Sequence, residues 1–189
     1  MRILYFEDIK IEKELIIDSI TNGTIFIYPT DTIYGIGCNA QVSTSVKKIR
    51  GLKARAANPF SVIAPSLGWI HSNCIVTKNA ETWLGKLPGP YTLILKLKNN
   101  NCIAKEVNPG LKTLGIRMPK HWIWDLIAEA DVPVVTSSVN KSNEDYMTCL
   151  EDLDPAIKGA VGFILYDGER DSKPSKIIDL TENVRVIER

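Results

Sequence analysis

The chain of 189 residues has two histidines, four scattered cysteines, a net charge of only +1 and no long apolar run, and each scarcity closes off a class of function. His71 and His121 stand far apart, and Cys38, Cys74, Cys102 and Cys149 form no C-x-x-C pair. Neither set has the spacing of a metal site, and the thiols read as reduced structural cysteines. The near balance of 23 basic and 22 acidic residues argues against a chain whose main task is gripping nucleic acid through its phosphates. It leaves room for a local basic cleft around a small anion. No stretch approaches the roughly 20 apolar residues of a membrane span. Glu7 and Asp8 stand where a secretory leader would be apolar, so the expected location is cytoplasmic. There is also no G-x-S-x-G elbow, no Walker lysine loop and no dinucleotide glycine fingerprint. Without a nucleophile–base constellation, any catalysis must rest on positioning and charge stabilisation.

What is present is ordinary globular material, with 44% hydrophobic and 24% charged residues. This length favours one domain, residues 1–189, able to bury roughly 70% of its unfolded surface. Glu7–Ile20 reads as a helix with Ile9, Ile11, Leu15, Ile16, Ile17 and Ile20 on its apolar face and Gly23 at its C-terminal end. A second helix runs from a cap at Ser43 or Thr44 to Leu52, with Lys47, Lys48 and Arg50 solvated. Asn79–Leu87 and His121–Ala130 are further helices. Strands are expected at Ile25–Tyr28, Phe60–Ala64, Tyr91–Leu97, Gly115–Met118, Pro133–Thr136, Phe163–Tyr166, Ile177–Leu180 and Val184–Ile187. Strands and helices interleave, so the class is α/β or α+β around a mixed, twisted sheet.

Four stretches could carry chemistry. Tyr28-Pro29-Thr30-Asp31-Thr32-Ile33-Tyr34-Gly35 ends a buried strand in hydroxyls, a carboxylate and a glycine, the composition of a ligand-facing sheet edge. Lys53 and Arg55, two apart on what reads as an extended segment, can share a face and clamp phosphates, or be plain surface charges. Arg117 interrupts an apolar strand and must face a carboxylate, a phosphate or a cleft. Ser137-Ser138-Val139-Asn140 closes another strand with neutral donors, suited to a ligand or to a turn.

Taken with Pro88-Gly89-Pro90-Tyr91-Thr92, Arg117-Met118-Pro119 and Ser175-Lys176-Ile177-Ile178-Asp179, these stretches resemble in order the motifs of the YrdC/TsaC family, the threonylcarbamoyl-AMP synthases. The resemblance implies an open twisted α/β sheet around a basic cavity. It also implies the joining of L-threonine, bicarbonate or CO2 and ATP into L-threonylcarbamoyl-AMP and pyrophosphate, for the t6A modification of tRNA. By that resemblance Lys53 and Arg55 are catalytic. Thr32, Arg117, Ser138 and Ser175 hold threonine, and Arg55, Asn58, Thr113, Asn140, Thr148 and Arg189 hold ATP. Mg2+ would arrive with the nucleotide. The partners implied are these small molecules and the downstream tRNA threonylcarbamoyl transferase machinery. The alternatives are an RNA-binding module without catalysis, holding RNA weakly on a concave basic surface, a related carbamoyl-transfer domain using carbamoyl phosphate, and a degenerate member that binds nucleotide without turnover. The chain departs from the family pattern at Ile63 or Ala64 (a histidine in many members), Asn143, Lys176 and the abrupt end at Arg189.

Overall fold

The computed structural model describes residues 1–55, 58–141 and 144–187. Its first element is β1 (Arg2–Leu4), followed by α1 (Phe6–Ile11) and α2 (Lys13–Thr21) in place of the single helix the periodicity predicts. The break falls at Glu12, whose carboxylate accepts from both terminal nitrogens of Arg2, at 2.7 and 2.5 Å. Splitting the helix rotates its two faces out of phase. Ile9, Ile16 and Ile20 are buried as expected, whereas Ile11 and Leu15 are 84% and 64% exposed. Gly23 takes a positive φ of 82° just past the end of α2, the left-handed conformation that a chain reversal there requires.

Next come β2 (Phe26–Tyr28), β3 (Gly35–Gly37), α3 (Ser43–Leu52), β4 (Ser61–Ile63), α4 (Leu67–Asn73), β5 (Cys74–Ile75), α5 (Lys78–Leu84) and β6 (Tyr91–Leu97). The second half contributes β7 (Thr113–Arg117), α6 (Ile123–Ala130), β8 (Val134–Ser138), α7 (Pro155–Ala160), β9 (Phe163–Leu165), β10 (Lys176–Asp179) and β11 (Arg185–Ile187). The strands form one mixed sheet in the order β1-β9-β2-β3-β8-β4-β7-β6-β10-β11, with β5 beside β6. The α/β class read from the sequence holds. Helices α4 and α7 and strands β1, β3 and β5 are additions, each too short for its periodicity to stand out.

At the β1-β9-β2 end, Ile16 and Ile20 of α2 and Ile123, Leu126 and Ile127 of α6 pack with Phe26, Tyr28 and Phe163 of the sheet. Helix α3 buries Val46 and Ile49 in a second core with Ile27, Ile36 and Val62. Beyond Tyr28 the β2–β3 hairpin turns through Pro29–Tyr34, so the P-T-D-T residues emerge from between two buried strands. β3 lies so close to β8 that a Cβ at Gly37 would collide with the Val135 carbonyl.

Candidate active site

The polar stretches converge on one cavity of about 660 Å³. Its wall carries Arg55, Asn58 and Pro59 from the segment after α3, and Ser137 and Ser138 from the end of β8. Its floor carries Ser61, Thr92, Arg117 and Thr136, and Ser175 and Ile177 close the far side. A Cβ at Gly115 would fall on the Ser61 hydroxyl, so that glycine keeps the floor open.

The turn after β2 is wired by its own hydroxyls. Thr30 Oγ1 donates to the Ile33 carbonyl at 2.7 Å and accepts the Thr32 N–H at 3.1 Å. With the Thr30 proton so engaged, the 3.0 Å contact between the two hydroxyls has Thr32 as donor. Thr32 Oγ1 then receives Arg117 Nη2 at 3.1 Å. The same Nη2 lies 2.7 Å from Asp31 Oδ1, and Asp31 Oδ2 accepts the Lys120 N–H at 3.0 Å. Arg117 therefore sits in a buried ion pair, and Asp31 is the partner that the sequence reading left unnamed.

Lys53 and Arg55 do not share an extended strand. Lys53 caps α3, and Ala54 turns the chain left-handed at φ 48°, so the two cations leave on different paths. Lys53 is 2% exposed, which sets aside the surface-charge alternative. Its Nζ donates to Ser138 O at 2.5 Å, Asn140 O at 2.7 Å and Asn140 Oδ1 at 2.9 Å. Burial, and secondarily the like charge of Arg55, push its pKa down to about 8. Arg55 donates from Nη2 to Pro59 O at 2.8 Å, from Nε to Asn58 O at 3.2 Å, and reaches Ser137 Oγ at 3.4 Å. Ser138 Oγ donates to Asn140 Oδ1 at 2.7 Å, while Asn140 Nδ2 donates to Glu144 O at 2.6 Å.

Arg50, expected on the solvated face of α3, bends under this segment instead. It donates to the carbonyls of Arg55, Asn58, Glu106 and Val107, which ties the loop to the strand network. On the opposite side Thr92 Oγ1 and Ser175 Oγ lie 2.8 Å apart, both buried. Thus the P-G-P-x-T stretch serves the site by placing Ser175.

Of the residues singled out in the sequence, Arg55, Asn58, Arg117, Ser138 and Ser175 line the cavity, and Thr32 touches it through Arg117. Lys53 and Asn140 stand behind the wall and hold it. Thr113 begins the strand that Arg117 ends, on the same face but outside the lining. Thr148 lines a second hollow of about 510 Å³ with Asp145, Tyr146 and Asp152. Its hydroxyl and N–H, with the Cys149 N–H, bond Asp152 and hold that carboxyl down at about 2. Arg189 and Asn143 lie outside the described residues.

A mixed α/β sheet whose cavity gathers two arginines and neutral hydroxyls, with no nucleophilic dyad among the described residues, defines a small-molecule site for a polar, anionic ligand. The chain belongs to the Sua5/YciO/YrdC family, whose model, described as telomere recombination, matches residues 18–189. A relative from Methanocaldococcus jannaschii that carries the threonylcarbamoyl-AMP synthase name provisionally is 33% identical over 183 residues, 94% of this chain and 84% of its own. The threonylcarbamoyl-AMP synthase of Pyrococcus abyssi is 32% identical over 86% of this chain, which spans about half, 49%, of that protein. A crystal structure of P. abyssi Sua5 complexed with L-threonine superposes with a TM-score of 0.81 at 27% identity, covering 96% of this chain and 54% of that one. Escherichia coli YciO shares the fold with a TM-score of 0.83 at 22% identity, over 99% and 95% of the two chains.

Proposed function

We propose that this chain joins L-threonine, bicarbonate or CO2 and ATP into L-threonylcarbamoyl-AMP, releasing pyrophosphate. The observation that carries the reading is the convergence of Arg55, Asn58, Arg117, Ser138 and Ser175 on one cavity, within a family whose named relatives are such synthases. The threonine amine first adds to CO2 with loss of a proton, or to bicarbonate with loss of water, and a carbamate oxygen of the N-carboxythreonine so formed then attacks the α-phosphorus. An O–P bond forms, the bond to the β-phosphate oxygen breaks, and pyrophosphate leaves with that electron pair. Nothing here needs a protein nucleophile. It needs alignment and a cation beside the charge that builds on phosphate.

Arg55 is the cation on the cavity wall, with Asn58 beside it on the nucleotide side. Lys53 acts from behind by holding Ser138 and Asn140. Thr32 and Ser138 spend their protons inside the protein, on Thr30 and Asn140. Ser138 therefore offers lone pairs to the amine or hydroxyl of threonine, Thr32 accepts from Arg117 and orients it, and Arg117 and Ser175 suit the carboxylate. Mg2+ fits as a passenger of the nucleotide. Among the described residues no three metal-ligating side chains cluster, and Asp31 is engaged by Arg117 and Lys120, so phosphate oxygens would supply most of its ligands. The product, an activated carbamate, requires an acceptor enzyme that transfers threonylcarbamoyl to tRNA. Among the described residues no helix is long and apolar enough to cross a membrane.

The test is pyrophosphate release from ATP at moderate Mg2+. Release that needs both L-threonine and bicarbonate supports the synthase; ATP binding without release leaves only a binding protein.

A further inference from the structure

The segment between β9 and β10 has an unusual path. β9 stands next to one edge of the sheet and β10 next to the other, so residues 166–175 must cross from end to end. They do so over the cavity, where Pro174 and Ser175 become part of its lining. The crossing is pinned at intervals. Tyr34 Oη donates to Gly168 O at 2.6 Å and accepts the Asp167 N–H at 3.2 Å. The Arg170 N–H bonds Thr148 O at 3.0 Å, Tyr146 Oη donates to Ser172 O at 3.1 Å, and the Lys176 N–H reaches Pro90 O at 3.1 Å.

The Arg170 side chain ties this crossing to the turn after β2. Arg170 Nη1 donates to Thr30 O at 2.6 Å, within the turn whose hydroxyls set Thr32. Its Nε and Nη2 take Asp167 Oδ1 and Oδ2 in a bidentate pair at 3.0 and 2.6 Å. Nη2 also lies 2.8 Å from His121 Nε2, itself 3.1 Å from Asp167 Oδ2. Burial alone would raise the Asp167 carboxyl, but hydrogen bonds from His121 and Arg170 hold it well below the usual range, so the Arg170–Asp167 pair is charged at neutral pH.

We propose that Arg170 is a positioning residue: its guanidinium fastens the β2–β3 turn to the 166–175 crossing and so fixes the spacing of Thr32 and Ser175 across the threonine side of the cavity. This rests on the synthase reading. A planar fork is needed because two N–H groups along one edge serve Asp167 while a third, on Nη1, serves Thr30, a geometry that a lysine ammonium cannot reproduce. The segment that places Arg55 and Asn58 is fastened separately, by Arg50. Loss of the bracket therefore damages threonine binding selectively.

The experiment compares Arg170→Lys with the wild-type chain by calorimetric titration of L-threonine and of ATP, and by hydrogen exchange without ligand. Arg170→Lys should weaken threonine binding about tenfold, in the range that small displacements of a positioned group produce, with ATP affinity unchanged. The Thr32 and Lys176 amides should exchange faster together, while those of α2 do not. Tyr34→Phe, which keeps every charge and the cavity-lining ring but removes the hydroxyl that pins Gly168 O and the Asp167 N–H, should move threonine affinity the same way by about threefold. It carries the test if Arg170→Lys does not fold. Equal loss of threonine and ATP affinity in a folded variant, or no loss of either, overturns the proposal alone. A wild-type chain that binds ATP but no threonine overturns the synthase reading and the proposal with it.

Discussion

The two sides of the cavity hold their cations in different ways. Beside α3, the hydrogen bonds of Lys53 and Arg55 described above end on neutral oxygens: carbonyls, an amide and a hydroxyl. Beside the β2–β3 turn, Arg117 lies against Asp31 and Arg170 against Asp167. A neutral oxygen fixes a cation in place without cancelling its charge, whereas a carboxylate does both. On the synthase reading proposed above, the first side would be the nucleotide half of the cavity, where Arg55 meets phosphate, and the second would be the amino-acid half, where carboxylates hold Arg117 and Arg170 in register.

The sharpest way to break that division is to remove the cation that lines the nucleotide half. Arg55→Ala should lower pyrophosphate release by about 10²–10³-fold, the worth of one preorganised group at developing charge. L-threonine binding, measured by calorimetry, should survive. Wild-type turnover in this variant would mean that the wall around Arg55 does not hold phosphate.

On the other half the largest effect falls on stability. Asp31→Asn leaves the Arg117 guanidinium buried beside a neutral amide, and breaking a buried pair from one side costs about 3–5 kcal/mol. Arg117 and Asp31 side chains are only 7% and 10% exposed, so water offers little relief. Urea unfolding should show the loss, and a double variant with Arg117→Met should recover much of it. A single variant as stable as the wild type would show that the carboxylate does not compensate Arg117.

How much of this was legible in the sequence follows the same division. Residues set by the strand pattern could be read. Arg117 stood out as a charge in an apolar strand, and Ser138 and Ser175 stood out in motifs that resemble a family's. The α/β class and most strand positions followed from β-rich runs bounded by proline and glycine. Residues set by how loops cross could not be read. Arg170 lies in a polar stretch indistinguishable from a solvated loop until β9 and β10 are seen near opposite ends of the sheet. Arg50 looked like one of three surface cations on α3, because nothing local records that the chain after Lys53 turns back over it. The spacing of Lys53 and Arg55 suggested a strand that the left-handed turn at Ala54 forbids. Asp31 did carry a signal, a lone carboxylate among threonines near a buried strand, which calls for a cation as surely as Arg117 calls for an anion.

The smallest expected effect sharpens the comparison most, because it separates holding a site from touching a substrate. With its pKa pushed down to about 8, Lys53 loses its third proton within an accessible range of pH. A neutral amine can donate only two hydrogen bonds, so one of the contacts to Ser138 O, Asn140 O and Asn140 Oδ1 must be given up. Turnover should then fall as pH rises through about 8, by about fivefold if one bond of roughly 1 kcal/mol is lost. Lys53→Arg, whose guanidinium keeps its charge throughout, should flatten that fall. Stability moves in the opposite direction. In the unfolded chain the amine returns to its ordinary value of 10.5, so between about 8 and 10.5 the unfolded state binds more protons than the folded one. The Lys53 contribution to stability therefore rises with pH across the same window in which activity declines. A parallel decline of both, in the wild type and in Lys53→Arg alike, would assign the pH dependence to general alkaline unfolding and remove Lys53 from the wall of the site.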